Sequence, residues 1–149
     1  DFMASVTLAV YDLSHGMARQ LSQQFLGIEI EMIPHSGVIV FGYEYYFGGG
    51  IQKLPHEEFV RSHMPPVQML DQGPTQVSRE AFERFLEGLA PRFNMSTYDL
   101  LRNNCNNFAD ECLQFLVGRR VPEAITGLPE RVFSTPLGAM IRPMVEQSQ

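Results

Sequence analysis

The run Asn103-Asn104-Cys105-Asn106-Asn107-Phe108 places a thiol where an asparagine can cap a following helix. A helix N-terminus carries unpaired backbone N–H groups and a partial positive charge. A thiolate there is stabilised, so the pKa of Cys105 is expected below the free value of about 8.5. The same N–H groups can hydrogen-bond the oxyanion that forms when a thiolate attacks a carbonyl. The Cys105 backbone N–H is the first candidate for that role, with the side chains of Asn104 and Asn106 as assistants. Position alone also fits a structural cysteine.

A nucleophilic thiol needs a base within hydrogen-bond reach. The sequence has four histidines. His15 lies in a polar turn, His56 follows Pro55 in an irregular stretch, and His63 precedes Met64-Pro65-Pro66; these read as surface positions. His35 opens the strongest strand pattern, HSGVIVF, and shares one strand face with Gly37, Ile39 and Phe41. Gly37 leaves room beside it and is the candidate for a narrow substrate groove. A hydrogen-bonded strand-end histidine fits the pattern too. A rigid strand facing a rigid helix end is a sound way to hold two reactive groups. Cys112 falls beside Phe108, Phe115 and Leu116 and reads as core. No metal site is expected, because two cysteines on successive turns and scattered histidines do not match ligand spacings. Gly48-Gly49-Gly50 lacks the following Lys-Ser or Lys-Thr of a phosphate loop and reads as a turn. No cofactor is implied.

The elements that must position these groups follow from period and punctuation. Val6 to Tyr11 reads as a strand, Met17 to Leu26 as a helix capped by Gly27, and Ile28 to Ile33 as a half-buried strand ended by Pro34. After the His35 strand come a turn at Gly42-Tyr43, a returning strand at Glu44 to Phe47, and a short one at Ile51 to Leu54. Pro55 to Gln76 is hard to read, with Val67 to Leu70 as an edge strand. Ser78 caps a helix from Arg79 to about Ala90. The Cys105 helix runs to Val117, with Gly118 as its cap. Short helices that start at or just after Pro122, Pro129, Pro136 and Pro143 complete the chain. Strands gathered early and helices late predict an α+β domain.

The 149 residues suit a single domain, 1–149. Apolar residues make up 44% and charged residues 19%, as in an ordinary globular protein. No apolar run approaches the roughly 20 residues of a membrane span, and no signal-peptide pattern is visible at the start. The net charge of −6 argues against nucleic acid as a partner, since that binding rests on Lys and Arg. Cys105 and Cys112 on one helix are separated by roughly 10.5 Å along its axis, beyond the 7 Å or so that a disulfide spans. Two unbridged thiols predict a reducing compartment, cytoplasm or nucleus.

Taken together, VYDLS (Val10 to Ser14), His35 in HSGVIVF, EYYFGGG, NNCNNF around Cys105, FLVGRRVP (Phe115 to Pro122) and LPERVFSTPLG (Leu128 to Gly138) resemble the PPPDE family of permuted papain-like cysteine peptidases. The likeness is closest to its desumoylating isopeptidase type 1 branch. It runs from Val6 to Val145 and is poorest at Pro55 to Pro66. It implies a Cys105–His35 dyad, with the histidine first in the chain, and a mixed, mostly antiparallel sheet or barrel flanked by helices. It also implies a homodimer, and cleavage of the isopeptide bond between SUMO or another ubiquitin-like protein and a substrate lysine. Deubiquitination or protein depalmitoylation on the same dyad is the alternative. Lecithin-retinol acyltransferase-like lipid hydrolases share an Asn-Cys-x-x-Phe motif but usually read Asn-Cys-Glu-His-Phe. A binding module without catalysis is the remaining alternative.

Overall fold

The computed structural model describes residues 3–21 and 32–147. Five strands form one antiparallel sheet in the order β4-β3-β2-β1-β5, with β1 Ala4–Asp12, β2 Pro34–Val40, β3 Tyr43–Phe47, β4 Ile51–Leu54 and β5 Gln68–Thr75. The expected α+β class holds. Among the described residues the sheet is wholly antiparallel with open edges at β4 and β5, rather than mixed or closed into a barrel. Pro34 starts β2 instead of ending an earlier strand, a place where its missing N–H costs nothing. The Ile28 to Glu31 part of the expected earlier strand, and the helix beyond Leu21, lie outside the described residues.

Two of the helices are capped by side chains at their starts. Helix α1 spans Met17–Leu21. Helix α3, Arg79–Leu89, is capped by Ser78, whose side chain accepts from the Ala81 N–H. Helix α4, Cys105–Val117, begins at Asn104 and stops at Gly118, which takes the left-handed conformation (φ 69°) that glycine alone adopts without cost. Helix α5, Glu123–Thr126, follows Pro122 and α7, Pro136–Gln147, opens on its proline as expected, whereas α6, Leu128–Phe133, starts one residue before Pro129, and Pro143 lies inside α7 and starts no helix. In the stretch that is hard to read, His56–Ser62 forms helix α2, and the edge strand expected at Val67 to Leu70 is β5, which runs from Gln68 on to Thr75. No helix among the described residues is long and apolar enough to cross a membrane.

The two faces of the sheet are covered unequally. On one, α3 and α4 bury Phe82, Leu86, Phe108, Cys112, Leu113 and Leu116 against Val6, Leu8, Val10, Val38, Val40, Tyr45 and Phe47. Cys112 is core, as expected. On the other, Ala9, Tyr11 and Tyr46 meet Phe59, the one buried residue of α2. Burying that ring contributes about 2–3 kcal/mol.

The segments that carry the family likeness are tie-points of the chain. Asp12 of VYDLS accepts from the Ser14 and Gly16 N–H groups, the Ser14 hydroxyl and the Ile33 N–H, and so closes the end of β1 against the start of β2. Asp110 of α4 binds Arg120 at 2.8 Å and the Val121 N–H at 2.8 Å, which turns the chain at GRRVP. Asp12→Ala leaves buried N–H groups unpaired, including that of Ile33. It is expected to lower stability by about 2–3 kcal/mol, read as a lower urea midpoint with an unchanged m-value.

Candidate active site

Asn104 sets the start of α4. Its Oδ1 accepts from the N–H groups of Asn106 (2.8 Å) and Asn107 (3.2 Å), and the Asn107 side chain accepts from the Asn104 N–H at 2.9 Å. This reciprocal cap fixes Cys105 at the first helical position. The Asn104 amide nitrogen donates to the Leu100 carbonyl, so the side chain is wholly engaged and buried. Asn106 sits one residue on and joins helix to sheet: its Oδ1 accepts from the Ser36 hydroxyl at 2.7 Å and its Nδ2 donates to the Pro34 carbonyl at 3.0 Å. Both amides were candidates to hold an oxyanion. Both are instead spent on building the site, and the cap also occupies two of the N–H groups that were expected to stand open.

The same junction brings the sulfur to β2. The Ser36 backbone N–H approaches the Cys105 sulfur and, with the N–H groups of Asn106 and Cys105, draws the thiol pKa downward. Pairing of β2 with β3 runs from Val40↔Tyr43 to Val38↔Tyr45, while pairing with β1 continues to Asp12↔Pro34. The helix terminus thus meets β2 beyond the last β3 pair. One peptide link from Ser36, the His35 Cα lies within about 6 Å of the sulfur.

The imidazole itself points elsewhere. Alternation along β2 turns Ser36, Val38 and Val40 toward α4, and His35, Gly37 and Ile39 toward the face under α2. The His35 ring lies parallel to Phe59 (5.9 Å between centroids, 9°), with Tyr11 at 5.7 Å and Tyr46 at 6.2 Å. Neither ring nitrogen has a hydrogen-bond partner among the described residues, although both are buried. The His35 backbone is therefore close to the thiol, but no hydrogen bond joins thiol and imidazole.

Burial sets the protonation of both groups. It pushes the Cys105 thiol up to about 12, outweighing the three N–H donors that pull it down. The expectation of a thiol acidified by the helix end is reversed here, because removing solvent from the charged form costs more than the donors return. Burial, and then the charge of His63, lowers His35 to about 4. At neutral pH the site holds a thiol and a neutral imidazole.

Gly37 does not open a groove. A Cβ there would stand 2.5 Å from Glu44 Oε2 and 2.9 Å from its Cγ, so the space is filled by the Glu44 side chain. That carboxylate is fully buried, accepts from the Tyr11 hydroxyl at 2.8 Å and meets His56 Nδ1 at 2.6 Å. Burial raises its pKa, against the opposing hydrogen bonds of His56 and Tyr11. His56, read as a surface histidine, is anchored to this group from the start of α2. The sequence signal for the cluster was Glu44 at a position of EYYF whose alternation with Tyr45 and Phe47 places it on the smaller face.

No cluster of metal-ligating side chains occurs among the described residues.

Two outcomes follow. The folded pKa of His35 lies below its unfolded value, so the unfolded chain binds the extra proton. Stability is fully present above pH 6.5 and falls as pH drops toward 4, by up to about 3 kcal/mol. Subtracting the profile of His35→Leu from that of the native protein isolates this slope, since the opposite contribution of Glu44 is common to both. Gly37→Ala drives a methyl group into the Glu44 carboxylate and is expected to lower the thermal midpoint, at a cost of about 1–3 kcal/mol.

Residues 4–146 match the family model described as "PPPDE putative peptidase domain". The chain is 42% identical over 146 residues to desumoylating isopeptidase 1 of Homo sapiens, covering 97% of this chain and 86% of that protein. It is 40% identical to the proteins of the same name from Rattus norvegicus, over 146 residues, and Xenopus laevis, over 147 residues.

Proposed function

The chain belongs to the PPPDE peptidase family, and on that premise we propose that it is a cysteine isopeptidase with Cys105 as nucleophile and His35 as base and acid. Its substrate is the bond between the C-terminal glycine of a ubiquitin-like modifier and a lysine side chain. SUMO is the modifier put first, because the human, rat and frog relatives are named desumoylating isopeptidases. The observation that carries the reading is the Ser36 N–H on the Cys105 sulfur, one peptide link from His35.

The chemistry needs one change from the resting arrangement. Rotation of His35 about its Cα–Cβ bond swings the imidazole from the three aromatic rings to the sulfur. Stacking alone opposes this, and a hydrogen bond for a nitrogen that now has none favours it. Entry of a polar peptide tail and its water relieves the burial of both groups. That lowers the thiol pKa and raises the imidazole pKa, so transfer of the proton becomes easier. Catalytic hydrogen bonds often tighten only when substrate binds. The Cys105 thiolate then attacks the glycine carbonyl, with the Cys105 N–H as an oxyanion donor. The imidazolium gives its proton to the departing lysine nitrogen, leaving a thioester. Water, deprotonated by the imidazole, releases the modifier and regenerates the thiol.

The permuted papain-like order, histidine on an early strand and cysteine on a later helix, is part of this proposal. It is supported by β2 preceding α4 in a chain of this family. A homodimer in the cytoplasm or nucleus extends it. The two cysteines, neither in a disulfide, agree with a reducing compartment.

The test is covalent capture by SUMO, ubiquitin and palmitoyl-thioester probes. Capture by the SUMO probe is expected at Cys105, none at Cys112, and none after Cys105→Ala. His35→Ala is expected to lower cleavage of a SUMO–lysine isopeptide by about 10²–10⁴-fold. Capture at Cys112, or full activity after His35→Ala, overturns the mechanism. Capture by the ubiquitin or palmitoyl probe alone moves the substrate to that class.

A further inference from the structure

A cavity of about 100 Å³ opens against the His35 ring on the face away from α4. Its main walls are Tyr11, His35, Tyr46, Phe59, His63 and Met64, drawn from β1, β2, β3 and the α2 segment. No residue of α4 lines it, so it touches the base but not the nucleophile. Phe59 lies between two imidazoles, parallel to His35 and to His63 (4.3 Å, 8°). The buried and unpartnered ring of His35 forms one wall.

We infer that this cavity is the subsite for the leaving group, and that it takes the alkyl stem of the substrate lysine. The inference rests on the function proposed above. The acid that protonates a leaving amine must reach the nitrogen, so that nitrogen leaves on the His35 side of the scissile bond. The imidazole that has turned to the sulfur leaves its resting place beside this cavity, and a side chain attached to the nitrogen runs into the space so opened. An apolar cavity of about 150 Å³ holds a benzene ring, so one of about 100 Å³ has room for a chain of methylenes. Its walls suit a lysine as well: ring faces pack on methylenes, and they attract the ammonium that forms after cleavage. Short or branched amines leave the walls unfilled.

The measurement uses the full chain and a set of conjugates with one SUMO tail. The tail is joined through the side-chain amine of lysine, ornithine or diaminopropionate, which differ only in methylene number. Cleavage efficiency is expected to fall about fourfold for each methylene removed. Tyr46→Ala and Met64→Ala are expected to flatten that ladder to within about twofold. The ladder is read as a ratio, so any general change in rate cancels. A flat ladder in the native protein overturns the subsite, and so does a ladder unchanged in both variants. A propargylamide SUMO probe, which has no lysine, separates the two readings. Failure of capture by this probe and by its ubiquitin counterpart removes the proposed isopeptidase function itself, whereas capture with a flat ladder removes only the subsite.

Discussion

The site depends on one junction, the amide of Asn106 clasping the start of β2. The side chain binds the Ser36 hydroxyl with its oxygen and the Pro34 carbonyl with its nitrogen, on either side of His35. Both bonds are buried, where an unmade hydrogen bond is expensive and a made one is well defined. They fix the first turn of α4 against the strand, and the Asn104 cap fixes Cys105 within that turn. The Ser36 N–H then approaches the sulfur. Across the 70 residues that separate Ser36 from Asn106, this clasp sets the register of the helix start on the strand, which the apolar packing further along α4 holds less specifically.

Burial decides the state of the two reactive groups once they are placed. A thiol at about 12 and an imidazole at about 4 are far apart in proton affinity, and each is neutral at physiological pH. The helix end still supplies its N–H donors, but they act on a group that solvent does not reach. On the proposed mechanism, activation belongs to the substrate, whose polar tail returns a solvated environment to the site.

The smaller face of the sheet carries a second polar group. Glu44 is fully buried and would be untenable alone. The Tyr11 hydroxyl and His56 satisfy it, and Gly37 makes room for it. Through His56 it also holds α2 on the sheet, so that Phe59 covers His35. The wall of the cavity beside the base thus depends on a carboxylate that faces it from the next strand.

The sequence alone determined a good deal. Period-two alternation, prolines, Ser78, Asn104 and Gly118 are local signals, and they placed β1, β2, β3, β4, α3 and α4 because each acts within a few residues. The same locality made Cys105 legible as a thiol at a helix start, and Cys112 as core. What the sequence could not determine was anything set by partners distant in the chain. Glu44 fills the space at Gly37, His56 is anchored rather than exposed, and α2 forms in the stretch left unread, all through contacts across the sheet. The pKa of Cys105 belongs to the same class. A helix terminus can be read from spacing, but desolvation depends on every atom that packs around the sulfur, and only the folded chain supplies those atoms.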